Sequence, residues 1–185
     1  TMVKAKSFIS KLFTPYTLFR HFSIIVGLVA LFFLSQHNFL LFHCIIEGFS
    51  IAIAFSIFLF AWNTRRMLND NFLVLVGIAF LFVGILDFFH TLAYRGMNIF
   101  DISGGNVATQ LWIGTRYVQS LSILATAFLI NRKVRPALAF FTYTAVTVIL
   151  LLSVFQWQVF PVCYIESSGL TPFKVVSEYC ISFIV

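Results

Sequence analysis

Charged residues are scarce in this chain: they make up 10% of its 185 residues, against about a quarter in ordinary soluble domains. The three cysteines include no CxxC pair, so neither a disulfide framework nor a thiolate metal site is indicated. The sequence also lacks a P-loop, a GxGxxG motif, an HExxH motif and a Ser–His–Asp pattern, which argues against nucleotide binding and hydrolysis. We therefore do not expect an enzyme, and any catalytic domain would lie outside this chain.

Long apolar runs are what the sequence has in abundance, with 61% hydrophobic residues and 25 phenylalanines. A membrane-spanning helix needs about 20 apolar residues. The pattern predicts an all-α, polytopic transmembrane helical bundle with at least six spans. Five of them run at about Phe22–Ser35, Phe39–Trp62, Phe72–Tyr94, Val107–Ile130 and Ala137–Trp157, and the sixth begins near Pro172. Because a helix cannot end unsupported in hydrocarbon, we expect the natural protein to continue beyond Val185.

The positive charges predict the orientation of the chain in the membrane. Nine of the twelve Lys and Arg residues lie in the N-terminal segment and in the loops 63–71 and 131–136, on one side of the predicted spans. The positive-inside rule then places the N-terminus in the cytoplasm. Residues 1–21 are predicted to lie at the membrane surface, and residues 22–185 to form the transmembrane domain. The basic residues are not interleaved along a polar surface, so we expect the lipid bilayer and no nucleic acid as a partner.

Six ionisable residues lie inside predicted spans: His43, Glu47, Asp87, His90, Arg116 and Glu178. A charged side chain at the bilayer centre costs about 2.5–3.5 kcal/mol on insertion scales. From the helical rise, these groups lie about 6–13 Å from the outer ends of their helices, and the inner half of each span has no ionisable residue. We therefore expect them to converge in a common site in the outer leaflet.

Helical spacing indicates which of these groups share a face. His43 and Glu47 are spaced i, i+4, and Asp87 and His90 are spaced i, i+3. Imidazole and carboxylate are ligands of iron, zinc and manganese. The predicted metal ligands are His43, Glu47, Asp87, His90 and Glu178. A second polar set, predicted to bind a ligand or to balance charge, consists of Tyr94, Trp112, Arg116 and Gln119.

Several alternatives remain open at the level of the sequence. Asp87 could simply pair with Arg116, and Glu178 with Lys174 one turn away. Haem with His43 and His90 as axial ligands is an alternative cofactor to a metal ion. Asp87, Glu47 and His90 could relay protons in a proton- or ion-coupled transporter, although the apolar inner half argues against a continuous path. The polar cluster could also be purely structural.

Four stretches resemble a known family: His43–Glu47, Leu86–Phe100 (LDFFHTLAYRGMNIF), Asn106–Ser122 (NVATQLWIGTRYVQSLS) and Gly169–Tyr179 (GLTPFKVVSEY). They look like the third class of the bacterial membrane-associated sensor (MASE) domains, over a region from about Phe22 to the end of the chain. The resemblance implies an input module of a histidine kinase or a cyclic-di-GMP enzyme, with a cytoplasmic output domain. We expect a bacterial inner-membrane sensor, working as a homodimer, for a metal, a redox state or a small ligand.

Overall fold

The computed structural model describes residues 14–68, 71–100, 104–129, 132 and 134–185. Its helices are α1 Pro15–His37, α2 Phe39–Leu68, α3 Asn71–Leu92, α4 Asn106–Leu129, α5 Pro136–Phe155 and α6 Pro172–Ile184, and its strands are β1 Tyr164–Ile165 and β2 Gly169–Leu170. Most helix bounds agree with the predicted spans to within a few residues. The helix α1 is longer, because it begins at Pro15 rather than Phe22. Of the surface segment predicted over residues 1–21, residues 1–13 lie outside the described part of the chain, and Pro15 to His21 belong to α1.

The fold class predicted from the sequence is confirmed, because the described chain forms a membrane helical bundle. Four described helices are long and apolar enough to cross a membrane: α1, α2, α3 and α5. The helix α4 has 24 residues, which is also long enough, but it carries many polar residues. The helix α6 has 13 described residues. The predicted count of six spans is therefore approximate.

Proline and threonine set the starts of two helices. Pro15 and Pro172 occupy the first turn of α1 and α6, where a missing backbone N–H costs no hydrogen bond. Each is preceded by a threonine whose hydroxyl accepts a hydrogen bond from a first-turn amide: Thr14 from Thr17, and Thr171 from Lys174. Both signals are local in the sequence; the prediction used the one at Pro172 but placed the start of the first span at Phe22 rather than Pro15.

The chain forms two compact units, Thr1–Ile45 and Ile46–Val185. Within the first unit, the described residues 14–45 are all exposed or half-buried, and large apolar side chains such as Phe22 and Leu28 are exposed around α1. A helix that is apolar on all sides is suited to a lipid environment. Asn38 separates α1 from α2, and its side chain accepts a hydrogen bond from the amide of Leu41.

The core of the second unit is centred on α3. Its buried side chains include Ile78, Phe82 and Leu86, which pack with residues of α4 and α5. Aromatic rings extend this core toward α2, where Phe58 and Trp62 both meet Phe140 of α5 edge-on. Of the four apolar helices, α3 is therefore the one most enclosed by protein.

Small residues allow α2 and α3 to approach closely. A Cβ atom at Gly77 would overlap the side chain of Ala61, and one at Gly84 would lie 3.2 Å from the Cβ of Ala54. Both alanines are buried. Such small residues are typical of close helix pairs in membranes. The two contacts are seven residues apart on each helix and define an antiparallel seam.

The connection between α5 and α6 contains the antiparallel hairpin β1–β2, which the sequence analysis did not predict. The side chain of Asn106 accepts hydrogen bonds from the amides of Cys163 and Tyr164, at 2.9 and 3.0 Å. The buried Gln110 donates to the carbonyls of Phe160 and Pro161. The first turns of α4 thus hold the hairpin, and we call this part of the second unit its hairpin end.

Candidate ligand-binding site

The seam between α2 and α3 determines where Glu47 lies. The next pair along the seam lies seven residues further on each helix, toward the start of α2 and the end of α3. It consists of Glu47 on α2 and Thr91 on α3. This position is flanked by Asp87 and His90, both buried, at 1% and 5% exposed. A carboxylate oxygen of Glu47 and a ring nitrogen of His90 lie within 4.8 Å of each other. Two predicted ligands from different helices therefore meet at the hairpin end.

Asp87 forms a salt bridge across the α3–α4 interface. The Nη2 atom of Arg116 donates to its Oδ1 at 2.6 Å. A second guanidinium nitrogen of Arg116 donates to the side-chain carbonyl of Gln119, one turn further along α4. Because the Arg116 side chain is only 21% exposed, the pair is shielded from solvent and its attraction is little screened. The ion pair allowed by the sequence is thus present.

The ring of His90 is oriented by the backbone of α4. Its Nδ1 lies 2.8 Å from the carbonyl oxygen of Ala108. A carbonyl can only accept, so Nδ1 carries the proton and Nε2 of the neutral ring holds the lone pair. This is the arrangement found in metal-binding histidines, where a carbonyl fixes the tautomer from the opposite side of the ring.

The indole of Trp112 connects the ion pair to α6. The guanidinium carbon of Arg116 lies 5.9 Å from the ring centroid, and Nζ of Lys174 lies 5.3 Å from it. Lys174 in turn forms a 2.6 Å salt bridge with Glu178, at the i, i+4 spacing noted in the sequence. Two cations from α4 and α6 therefore share one aromatic ring, an arrangement that cation–π attraction stabilises.

The charges of the cluster do not cancel. In the described part of the chain, ion pairs join Arg116 to Asp87, Lys174 to Glu178 and Arg95 to Glu166. Glu47 belongs to none of these pairs. With neutral histidines, the predicted acidic ligands Glu47, Asp87 and Glu178 together with the two cations Arg116 and Lys174 leave one negative charge. The remaining charge is that of Glu47.

A cavity of about 380 Å³ opens beside His90 at the hairpin end. Its lining consists of His90, Tyr94, Arg95, Gly105, Ala108, Thr109, Tyr164 and Leu170. Tyr94 was predicted as a ligand-binding residue, whereas Arg95, Tyr164 and the hairpin residue Leu170 were not selected. The hairpin docks on the side chains of Asn106 and Gln110, and this i, i+4 pair at the start of α4 is the sequence feature that could have indicated the contact.

The predicted site residues fall into three groups. Glu47 and His90 lie together, and Asp87 is beside them with Arg116 and Gln119. Glu178 pairs with Lys174, whose Nζ lies over the ring of Trp112. His43 belongs to the first unit, where it is half-buried and its ring stacks on Phe39 with centroids 6.3 Å apart. The role of these residues as metal ligands stays a prediction.

The helices and the buried polar cluster define a polytopic helical membrane domain. The chain belongs to the MASE3 family, described as a membrane-associated sensor domain, whose family model matches residues 34–185. The family resemblance inferred from the sequence is therefore confirmed. A search of curated proteins and a search of solved structures each found no match to the chain.

Proposed function

We propose that this sensor domain is the input module of a bacterial signalling protein and that its signal is a transition-metal ion. The observation that carries the proposal is the approach of the Glu47 carboxylate to the ring of His90, whose tautomer is fixed by Ala108. A divalent iron, zinc or manganese ion would offset the charge of Glu47 in a medium where that charge is costly.

The proposed ligand set extends beyond this pair. His43 precedes Glu47 by one helical turn on α2, so it is the third proposed ligand by spacing. Asp87 and Glu178 complete the set, and each would have to release its present cation, Arg116 or Lys174, to bind the metal. A metal that recruits Asp87 would therefore leave Arg116 to find another partner.

This exchange provides a mechanism for signalling. Metal binding would stabilise the arrangement in which Asp87 turns from Arg116, and so shift an equilibrium between two arrangements. Arg116 and Lys174 both lie near the ring of Trp112 on α4, and Lys174 belongs to α6. A displaced guanidinium would therefore alter the packing of α6 against α4.

The output and setting of the domain are part of the proposal. We propose that α6 leads toward a cytoplasmic histidine kinase or cyclic-di-GMP enzyme, and that the protein works as a homodimer in the bacterial inner membrane. Arg65 and Arg66 at the end of α2 support a cytoplasmic N-terminus under the positive-inside rule. Arg65 also packs over Trp62, with its guanidinium carbon 3.9 Å from the ring centroid, as expected of an interfacial anchor.

Metal analysis of the chain in lipid nanodiscs tests the proposal. We expect about one metal ion per chain by the ligand count, with Glu47→Gln and His90→Asn each losing it. The matched controls are Glu166→Gln and His37→Asn, which alter exposed residues of the same types, and both should keep the metal. An absorption spectrum of the same sample tests for haem. A Soret band would show that the cofactor is haem and not a metal ion held by side chains alone.

A signalling measurement completes the test. The chain joined to a cytoplasmic kinase should change its autophosphorylation when the metal is removed with a chelator, and Glu47→Gln should abolish that response. A metal-free and haem-free preparation that still responds normally would contradict a bound cofactor as the signal.

A further inference from the structure

The cavity at the hairpin end has the size of a small-molecule site. Its volume of about 380 Å³ lies within the range of about 300–1,000 Å³ that is common for ligand pockets. Three secondary-structure regions form it: the end of α3, the start of α4 and the hairpin β1–β2. His90, which is 5% exposed, is the buried polar residue of its lining.

The polar part of the cavity favours an anion. Arg95 lines it, and its present partner is Glu166 at 3.8 Å, with 73% and 63% of the two side chains exposed. An exposed pair of this kind contributes about 0–1 kcal/mol, so another carboxylate can replace Glu166 at little cost. Gly105 and Ala108 place the first turn of α4 at the same wall, and a helix N-terminus favours negative charge.

A carboxylate already lies close to this wall. A Cβ atom at Gly104, whose φ is +95°, would be 3.3 Å from Oε1 of Glu166. The Glu166 carboxylate therefore rests against the backbone before α4 as well as near Arg95. It marks a position where a ligand carboxylate would find both a guanidinium and the start of a helix.

The remaining lining combines aromatic and aliphatic side chains with Thr109. Tyr94 and Tyr164 contribute phenol rings, and Leu170 contributes an aliphatic side chain from the hairpin. Aromatic walls favour a planar ligand that can stack on them. The cavity thus combines one cationic group with walls suited to an unsaturated or aromatic body.

We propose that this cavity binds a small organic anion with one carboxylate and a flat apolar body, and that Arg95 is its anion-binding residue. The proposal deepens the proposed sensory function and rests on it for its biological meaning, but the binding itself is measurable without it. The ligand carboxylate displaces Glu166 from Arg95, while the ring lies between Tyr94 and Tyr164.

Binding at this place is coupled to α6 through the hairpin. The strand β2 ends at Leu170, and the next residue, Thr171, caps α6. The Thr171 hydroxyl also donates to the carbonyl of Val162, and its amide donates to the carbonyl of Cys163. A ligand that moves the hairpin therefore acts directly on the start of α6.

The test is calorimetric titration of the full chain in nanodiscs with benzoate and with benzamide, its uncharged analogue of similar shape. We expect benzoate to bind at least about tenfold more tightly, because hydrogen bonds to a charged partner are the stronger ones. Arg95→Gln should remove that preference. Glu166→Gln should strengthen benzoate binding, because it removes the competing carboxylate, and Arg66→Gln, an exposed cation on α2, should change nothing.

Equal binding of benzoate and benzamide, no binding of either, or an unchanged preference in Arg95→Gln would overturn the proposal. Circular dichroism of each variant checks that it has folded. Metal content is measured on the same samples, so the two proposals can fail separately. An unsubstituted chain that binds metal but shows no benzoate preference overturns the anion cavity alone, whereas benzoate preference in an unsubstituted chain that binds no metal supports the cavity and overturns the metal site.

Discussion

The salt bridge between Asp87 and Arg116 is the strongest candidate for a single contact that stabilises the second unit. Its carboxylate is 1% exposed, and removing one partner of a buried pair leaves an uncompensated charge, at about 3–5 kcal/mol. We expect Asp87→Asn to lower the free energy of unfolding by about 3 kcal/mol. The measurement is SDS-induced unfolding followed by circular dichroism.

Two further variants separate the charge from the side chain's packing. Asp87→Asn combined with Arg116→Gln removes both charges and should recover most of the lost stability, because no lone charge remains. Glu166→Gln, in the exposed pair with Arg95, should cost less than about 1 kcal/mol. Equal losses in Asp87→Asn and Glu166→Gln would show that the Asp87 pair is not specially important.

The thiol of Cys163 provides a second prediction at the scale of a residue. It is fully buried in the connection before the hairpin and donates to the carbonyl of Pro161. Burial disfavours the thiolate and raises its pKa from 9.0 to about 11. Between these values the unfolded chain is ionised and the folded chain is not, so this group reduces stability as the pH rises from 9 to 11.

Alkylation measures this difference. With Cys44 and Cys180 replaced by serine, we expect iodoacetamide to react slowly with Cys163 at pH 8 and faster up to about pH 11. In SDS-unfolded chain the rate should reach half of its maximum near pH 9, the ordinary pKa of the thiol. The same pH profile in folded and unfolded chain would contradict a buried thiol.

At the scale of the helix, α2 and α3 can pack closely along their seam because α3 has glycine, which has no side chain, at the contact positions. Gly77→Ala would place a methyl group into Ala61, and overpacking of this kind costs about 1–3 kcal/mol. We expect Gly77→Ala to destabilise the chain in SDS unfolding. Ala61→Gly in the same chain should restore part of the stability, because it makes room for the new methyl group.

Gly48→Ala is the matched control for this prediction. Gly48 is also helical, on α2, but nothing lies within 4 Å of a Cβ atom added there. Alanine is the better helix former by about 1 kcal/mol, so this substitution should be neutral or stabilising. If Gly77→Ala were equally well tolerated, α2 and α3 would not pack through this seam.

At the scale of the whole molecule, the orientation in the membrane is open to a direct test. We expect Arg66→Cys to be labelled from the cytoplasmic side and Ser167→Cys from the opposite side, because the positive-inside rule assigns the basic end of α2 to the cytoplasm. Both positions are exposed. A membrane-impermeant maleimide, applied to intact spheroplasts of a cysteine-free background, distinguishes them.

The control for this experiment is permeabilised cells, in which both cysteines should react. Labelling of Arg66→Cys but not Ser167→Cys in intact spheroplasts would reverse the topology. It would also place the proposed site in the cytoplasmic half of the bilayer instead of the outer leaflet.

The sequence by itself determined the helices, their approximate ends and the class of protein. Long apolar runs can satisfy their backbone only as helices in lipid, and the start of α6 at Pro172 was predicted, whereas the start of α1 was placed at Phe22 rather than Pro15. Helical spacing also identified the pairs Lys174–Glu178 and Asp87–His90 as sharing a face. These inferences succeed because they involve residues within one turn of each other.

Only the tertiary structure decided which faces meet. The seam through Gly77 and Gly84 sets the register of α2 on α3, and so places Glu47 near His90. A shift of one residue on a helix turns a side chain by about 100°, and no local signal fixes that rotation between distant segments. The docked hairpin and the cavity beside Arg95 likewise depend on contacts between residues about fifty positions apart, such as Gln110 with Phe160.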